Sequence, residues 1–206
     1  MKINRFVVGM AGTNCYVVEN EKTKECVIVD PGDGPQRALA YLKEAELVPV
    51  AVLLTHGHFD HIMGLDSVLA DYQIPVYAFE KEAELLRDER LNASVGFGTR
   101  YAFDGAEFLS DNQKLELAGY TFQVIYTPGH TIGGCCFYVE SEGVLFSGDT
   151  LFQASVGRSD LPTGSAGQLI RSIEERLMVL PEDTKVYPGH MEETSIAYEK
   201  AYNPFL

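Results

Sequence analysis

Three imidazoles and a carboxylate stand within seven residues of this chain, Thr55-His56-Gly57-His58-Phe59-Asp60-His61. Neutral imidazole and carboxylate are good ligands for Zn²⁺ and similar borderline metals. His56 and His58 lie two apart on a short turn, so both can point toward one ion. Asp60 and His61 are adjacent and more easily face a neighbouring position, so one loop can serve two ions. With five histidines in 206 residues, an H-x-H-x-D-H pattern arises by chance with a probability on the order of 10⁻⁴, which makes coincidence a poor explanation.

The remaining histidines share one setting. Thr127-Pro128-Gly129-His130-Thr131 and Tyr187-Pro188-Gly189-His190 each follow an apolar, strand-like run. Pro ends the strand and Gly lets the backbone turn, which leaves His130 and His190 just past a strand end. Leu145-Phe146-Ser147-Gly148-Asp149-Thr150 repeats the device with a carboxylate. A lone loop histidine is ordinarily a surface residue. Here the first cluster lacks the partners that a tetrahedral or five-coordinate site needs, and His130, Asp149 and His190 supply them.

The elements that must position these groups can be read from periodicity. Residues 3–8, 13–19 and 25–29 read as strands, and the turn cluster Asp30-Pro31-Gly32-Asp33-Gly34 ends the third. Ala38, Leu39, Leu42 and Ala45 make an apolar stripe, so 35–46 is an amphipathic helix that opens on Pro35. The run 50–54 is a buried strand that delivers the histidine cluster, followed by a helix over about 62–70 and a strand over 75–79. Residues 80–87 look helical, and 88–112 lose all periodicity, as long functional loops often do. Strands follow at 114–117, 121–126, 135–139 and 144–147, then a helix over 165–180 stopped by Pro181, a strand at 185–187 and a closing helix over 193–202. The pattern, strands then helices twice over, predicts an α/β protein in which residues 1–206 form a single domain of two similar halves. The metal candidates then share the C-terminal edge of the strands, the usual place for a site in α/β sheets.

Composition bounds the partners. The net charge of −14 argues against nucleic acid and anionic membranes, because phosphate contacts demand a basic surface. No run approaches the roughly 20 apolar residues of a membrane span. The first nine residues are too short an apolar segment for a signal peptide, so a cytoplasmic location is expected. Cys15, Cys26, Cys135 and Cys136 form no C-x-x-C pair and read as small buried residues. Adjacent Cys135 and Cys136 should point to opposite faces of one strand.

Taken together, T-H-G-H-F-D-H, T-P-G-H-T, S-G-D-T and P-G-H resemble the metallo-β-lactamase fold superfamily, and within it the short glyoxalase II-like hydrolases. The resemblance spans nearly the whole chain. It implies a four-layer αββα sandwich with two divalent metal ions at one edge, Zn foremost and Fe or Mn as alternatives. It assigns His56, His58 and His130 to a first metal, Asp60, His61 and His190 to a second, and Asp149 as the bridge. It further implies a small-molecule thioester substrate of the hydroxyacyl-glutathione type, cleaved by a metal-bridging hydroxide that Asp60 helps to orient. The chain ends before the C-terminal helical region that helps typical glyoxalase II enzymes hold glutathione. Arg158 stands where that family has a basic residue near glutathione and is a candidate for a substrate carboxylate. Asp160 and Glu192 stand where it has tyrosines. Asp30, Thr55 and Thr131 are candidates to orient the ligating rings.

Other chemistries remain within the same frame. A mononuclear iron persulfide dioxygenase would need only the first three histidines. A lactonase would use the same centre on an activated ester. A phosphodiesterase or nuclease would call for a basic surface. A non-enzymatic metal-binding module would show no open position for water.

Overall fold

A computed structural model describes residues 1–206. Its first half is a six-stranded sheet in sequence order: β1 (Lys2–Val8), β2 (Thr13–Glu19), β3 (Glu25–Val29), β4 (Val48–Leu53), β5 (Val76–Phe79) and β6 (Ala106–Leu109). β1, β2 and β3 pair antiparallel, and β3 to β6 run parallel. The second half is another six-stranded sheet, built from β7 (Lys114–Leu117), β8 (Tyr120–Tyr126), β9 (Cys135–Val139), β10 (Val144–Gly148), β13 (Lys185–Pro188) and β14 (Thr194–Ser195). Here β7 to β10 form an antiparallel meander and β13 lies parallel to β10. A small hairpin, β11 (Leu151–Phe152) and β12 (Ser155–Val156), follows β10.

The halves share a plan: an antiparallel meander that turns parallel through a helical crossover. In the first half α1 (Gln36–Glu44) links β3 to β4; in the second α5 (Ala166–Ser172), extended by a π-turn over Ile173–Leu177, links β10 to β13. The shorter helices are α2 (Phe59–Ile62), α3 (Leu65–Asp71), α4 (Ala83–Arg87) and α6 (Ile196–Tyr202).

Strand alternation sorts the side chains into layers. On β2 and β3, Cys15, Val17, Cys26 and Ile28 face the helices, where they meet Leu39 and Leu42 of α1 and Leu65 and Val68 of α3. Tyr16, Val18, Val27 and Val29 face the opposite sheet and pack on Phe122, Val124, Phe137 and Phe146. Cys136 and Leu145 face the outer helix and meet Leu169, Ile173 and Leu177. Both sheets are thus covered on both faces, which is why β2 and β9 are buried along their whole length. The order is helix, sheet, sheet, helix, the expected αββα sandwich. Cys135 lies between the sheets and Cys136 under the helix, on opposite faces of β9 as the alternation requires. No helix is long and apolar enough to cross a membrane.

Four elements depart from the sequence reading, the first being the closing helix, which begins at Ile196 because Thr194–Ser195 pair with β13 as β14. The 88–112 segment is not all loop: β6 adds an edge strand that pairs with β5, and its largely exposed pattern hid it. The expected helix over 62–70 is interrupted at Gly64, where any Cβ would strike the carbonyl oxygens of Pro31 and Gly32. The hairpin β11–β12 was not anticipated, because two-residue strands leave no period to detect.

Candidate metal centre

Four strands end at the same edge of the sandwich and each delivers part of one cluster. β4 leads into the segment from His56 to His61, β8 into His130, β10 into Asp149 and β13 into His190. His130 Nε2 lies 3.2 Å from His56 Nε2 and 2.9 Å from His58 Nδ1. His190 Nε2 lies 3.2 Å from Asp60 Oδ2 and 3.4 Å from His61 Nε2. Asp149 reaches both groups: its Oδ1 is 3.4 Å from His61 Nε2, and its Oδ2 is 3.6 Å from His130 Nε2 and 3.5 Å from His190 Nε2. All seven sequence candidates for metal ligation therefore converge.

A surrounding layer fixes the rings. Asp30, buried at the end of β3, accepts from the Thr55 amide at 2.8 Å, the Thr55 hydroxyl at 2.6 Å and His61 Nδ1 at 2.9 Å. With its proton committed to Asp30, the Thr55 hydroxyl is left to accept from His56 Nδ1 at 3.1 Å. His130 Nδ1 donates to the Arg158 carbonyl at 2.7 Å. Such partners set the tautomer and aim the other nitrogen inward. The Thr13 hydroxyl donates to Asp60 Oδ2 at 2.9 Å. Asn14 Nδ2 and the Tyr16 hydroxyl both donate to the Pro188 carbonyl, at 2.9 and 2.7 Å, which ties the His190 loop to β2. Gly189 is required at its place, since a Cβ there would collide with the Asp149 carboxylate and the His61 ring.

Glu82 was not singled out from the sequence. It is fully buried beside the first cluster and accepts from the Gly57 amide at 2.8 Å, the Thr131 hydroxyl at 2.6 Å and the Gly133 amide at 2.7 Å. One carboxylate thus joins the loop of His56 and His58 to the loop of His130. Burial pushes its pKa up, against the three donors. The available signal was spacing: Phe79, Glu82, Leu85 and Leu86 fall on one helical face, which places the glutamate inward. Thr131, expected to orient a ring, bonds to Glu82 instead.

The donor chemistry fits a cation. The outer nitrogens of His56, His61 and His130 are used as donors, so in the neutral rings the inner Nε2 atoms hold only lone pairs. These face one another and two carboxylates. Asp149 Oδ1 is buried without a hydrogen-bond partner, an arrangement that costs free energy unless something else satisfies it. Burial, aided by the neighbouring imidazoles, drives the pKa of His56 well down and that of His58 to about 3, so both rings stay in the neutral, ligating form. Burial opposes ionisation of Asp149 and Asp60. Even so, the charge of His61 holds Asp149 at about 2, and His61 with hydrogen bonds from His190 and Thr13 holds Asp60 well below the carboxylate range. His61 is pushed well up by Asp60, Asp149 and Asp30 despite complete burial, and His190 is raised by its bond to Asp60 against the same opposing effect. Protons gather where positive charge is called for. A divalent ion does that more fully, and mixed imidazole and carboxylate donors suit Zn, Fe or Mn.

The cluster opens on a cleft of about 320 Å³ lined by Phe59, Phe97, Phe152, Leu161 and Asp60. Arg158 lies on its rim, with its guanidinium paired to Asp160 through two bonds of 2.7 and 2.8 Å. Glu192 pairs with Arg5 at 2.8 Å. A larger cavity of about 650 Å³ lies at the opposite edge of the sandwich, beside Glu140, Asp183 and Lys185, and contains no histidine.

Two packed sheets with outer helices, and an imidazole–carboxylate cluster at the strand ends, define a fold with a potential metal centre. Residues 8–190 match the metallo-beta-lactamase superfamily, and the chain belongs to that superfamily. It is 32% identical over 196 residues to hydroxyacylglutathione hydrolase GloC of Haemophilus influenzae, covering 94% of this chain and 92% of that protein. Among solved structures it is similar to BLEG-1 B3 metallo-beta-lactamase, with a TM-score of 0.93, 41% identity and coverage of 100% and 99% of the two chains. It is also similar to TTHA1623 in a di-iron-bound form, with a TM-score of 0.89, 36% identity and coverage of 98% and 100%.

Proposed function

We propose that this chain is a metal-dependent hydrolase that cleaves thioesters, with hydroxyacyl-glutathione esters as the reference class. The observation that carries the reading is the convergence of seven donors into two triads joined by Asp149, open on one side to a cleft. In this reading His56, His58 and His130 hold one divalent ion, Asp60, His61 and His190 hold another, and Asp149 contacts both. When bound, such ions polarise a carbonyl and lower the pKa of water toward 7, which supplies a nucleophile at neutral pH.

The chain's own residues favour a leaving group that departs as an anion. The cleft is lined by no lysine, tyrosine or cysteine, so no separate proton donor stands ready. A thiolate, with a pKa of about 8.5, needs none. The amine of a cleaved amide does. Asp60 lines the cleft with one oxygen fixed by Thr13, in position to orient an attacking water. Phe59, Phe97 and Phe152 keep bulk solvent off the reacting bond, which strengthens every charge interaction there.

The GloC likeness supports a thioester substrate. The BLEG-1 likeness supports a second reading, β-lactam hydrolysis, which the absence of a donor for the leaving nitrogen disfavours. Elemental analysis of the purified protein, followed by thioester and cephalosporin panels on one batch, separates them. Two metals per chain with thioester cleavage is the expected result. Two bound metals with no turnover of any thioester overturns the proposal. The metal bound in the cell is expected to be Zn, with Fe or Mn accepted by the same donors.

A further inference from the structure

Beside the cleft over the metal centre lies a second lobe of about 400 Å³. The two share Ala11, Phe59, Asp60 and Phe97, so they are neighbouring compartments of one groove. The wall between them is an aromatic pair: Phe59 and Phe97 stack with ring centroids 4.8 Å apart and 29° between planes. Phe59 sits inside the metal motif, whereas Phe97 stands on the 88–112 segment and is 58% exposed. Met10, fully exposed on the β1–β2 turn, lines the far lobe with Met63. Large apolar side chains in water around a concave site mark a binding surface.

Charge narrows the occupant further. The only arginine or lysine lining either lobe is Arg158, and both of its bonds go to Asp160. Asp33 and Asp60 are the charged groups of the far lobe, in a chain of net charge −14. The two carboxylates of a glutathione carrier would find no free arginine or lysine in the far lobe and would meet acidic groups instead. Desolvating an unpaired carboxylate is costly.

We infer that the groove selects thioesters whose carrier is apolar and uncharged, with that carrier lying against Phe97 and Met10 in the second lobe. The inference rests on the thioesterase reading for its chemistry, and its test separates the two. Two substrates carry the same lactoyl group, one on glutathione and one on benzyl mercaptan. The benzyl ester is expected to be favoured in kcat/KM by about tenfold or more, the scale on which an apolar pocket discriminates. Phe97→Ala is expected to raise KM for the benzyl ester by about tenfold, to cost the glutathione ester several times less, and to leave metal content intact. Binding of unreactive thioethers, benzyl methyl sulfide against S-benzylglutathione, is measured by calorimetry and reports on the groove without turnover. Preference for the glutathione compound in both measurements, or an equal loss for both compounds in Phe97→Ala, overturns the inference. Tighter binding of the uncharged thioether without cleavage of either ester upholds the groove's selectivity and overturns the thioesterase reading alone.

Discussion

The triad of His56, His58 and His130 contains no carboxylate, and each of its residues is 2–3% exposed. Asp60, His61 and His190 are set among carboxylates: Asp30, Asp60 and Asp149 all stand against the His61 ring. This second triad is also wetter, with the side chains of Asp60 and His190 exposed by 14% and 20%. The difference shows in titration. Burial pushes His56 and His58 down, whereas carboxylates pull His61 and His190 up. One position holds two rings that refuse protons and contains no carboxylate; the other is an anionic cage that collects them. A cation meets a pre-formed neutral ligand set in the first and must displace protons in the second.

Asp149 is the group on which this contrast depends most, because it contacts both triads. Asp149→Ala is expected to lower thioester kcat/KM by about a thousandfold or more, equivalent to about 4 kcal/mol of transition-state stabilisation. Metal analysis should show the second-site ion lost first. Full activity in the variant would remove the bridge.

Glu82 touches only the first cage's loops, so Glu82→Ala should act on that cage alone. It leaves two buried amides and a hydroxyl unpaired, a loss of about 3 kcal/mol or more in stability. Denaturant unfolding checks the magnitude. Competition with a chelator should show first-site affinity falling while the site built on Asp30 and His61 is spared. Equal loss at both positions would show that the cages are not independent.

The metal-free protein offers a sharper comparison through pH. His61 and His190 have raised pKa values, so the stability they contribute is complete below the unfolded value of about 6.5 and fades as pH rises above it. His56 and His58 have depressed values, so theirs is present above about 6.5 and is lost as pH falls, with His58 still resisting protonation down to about 3. The stripped protein should therefore be most resistant to heat near pH 6.5, with its unfolding temperature falling on either side by about 3 °C per unit. His190→Gln should flatten the alkaline limb and His58→Gln the acid limb.

The smallest effect is expected from Thr13→Val, which removes one hydrogen bond to Asp60. A loss of about 1 kcal/mol should appear as roughly fivefold weaker binding of the second ion only. An unchanged second-site affinity would mean that the threonine contributes nothing to the cage.

The site was legible in the sequence to an unusual depth because its parts announce themselves by type. Imidazoles are scarce in this chain, and all five stand just past a strand end. Asp149 follows the same rule. The layer around them was legible only in part. Thr55 could be found because it flanks a strand that carries ligands, and Asp30 because it opens the turn cluster that ends β3. Thr13 and Asn14 sit at the start of a strand whose apolar pattern says nothing of what its first residues touch. Glu82 lies among Glu80, Lys81 and Glu84 and looks like a solvated turn until packing buries it. Arg158 attracted notice for its guanidinium, yet the part of it that meets the centre is its carbonyl oxygen, bonded to His130. A main-chain role leaves no mark on residue choice. The fold was legible where strands run apolar for five residues or more, and it failed at β6, where a partner strand rather than composition makes the strand.

Each triad draws members from both sheets. His56 and His58 come from the first half and His130 from the second; Asp60 and His61 come from the first and His190 from the second. An ion held by either triad is consequently a clasp across the seam, closing chain loops of 72 residues between His58 and His130 and 129 between His61 and His190. Fastening points so far apart along the chain restrict the unfolded ensemble strongly. The ions that equip this protein for chemistry would then also keep its two halves from parting, and neither half alone could offer a complete set of donors.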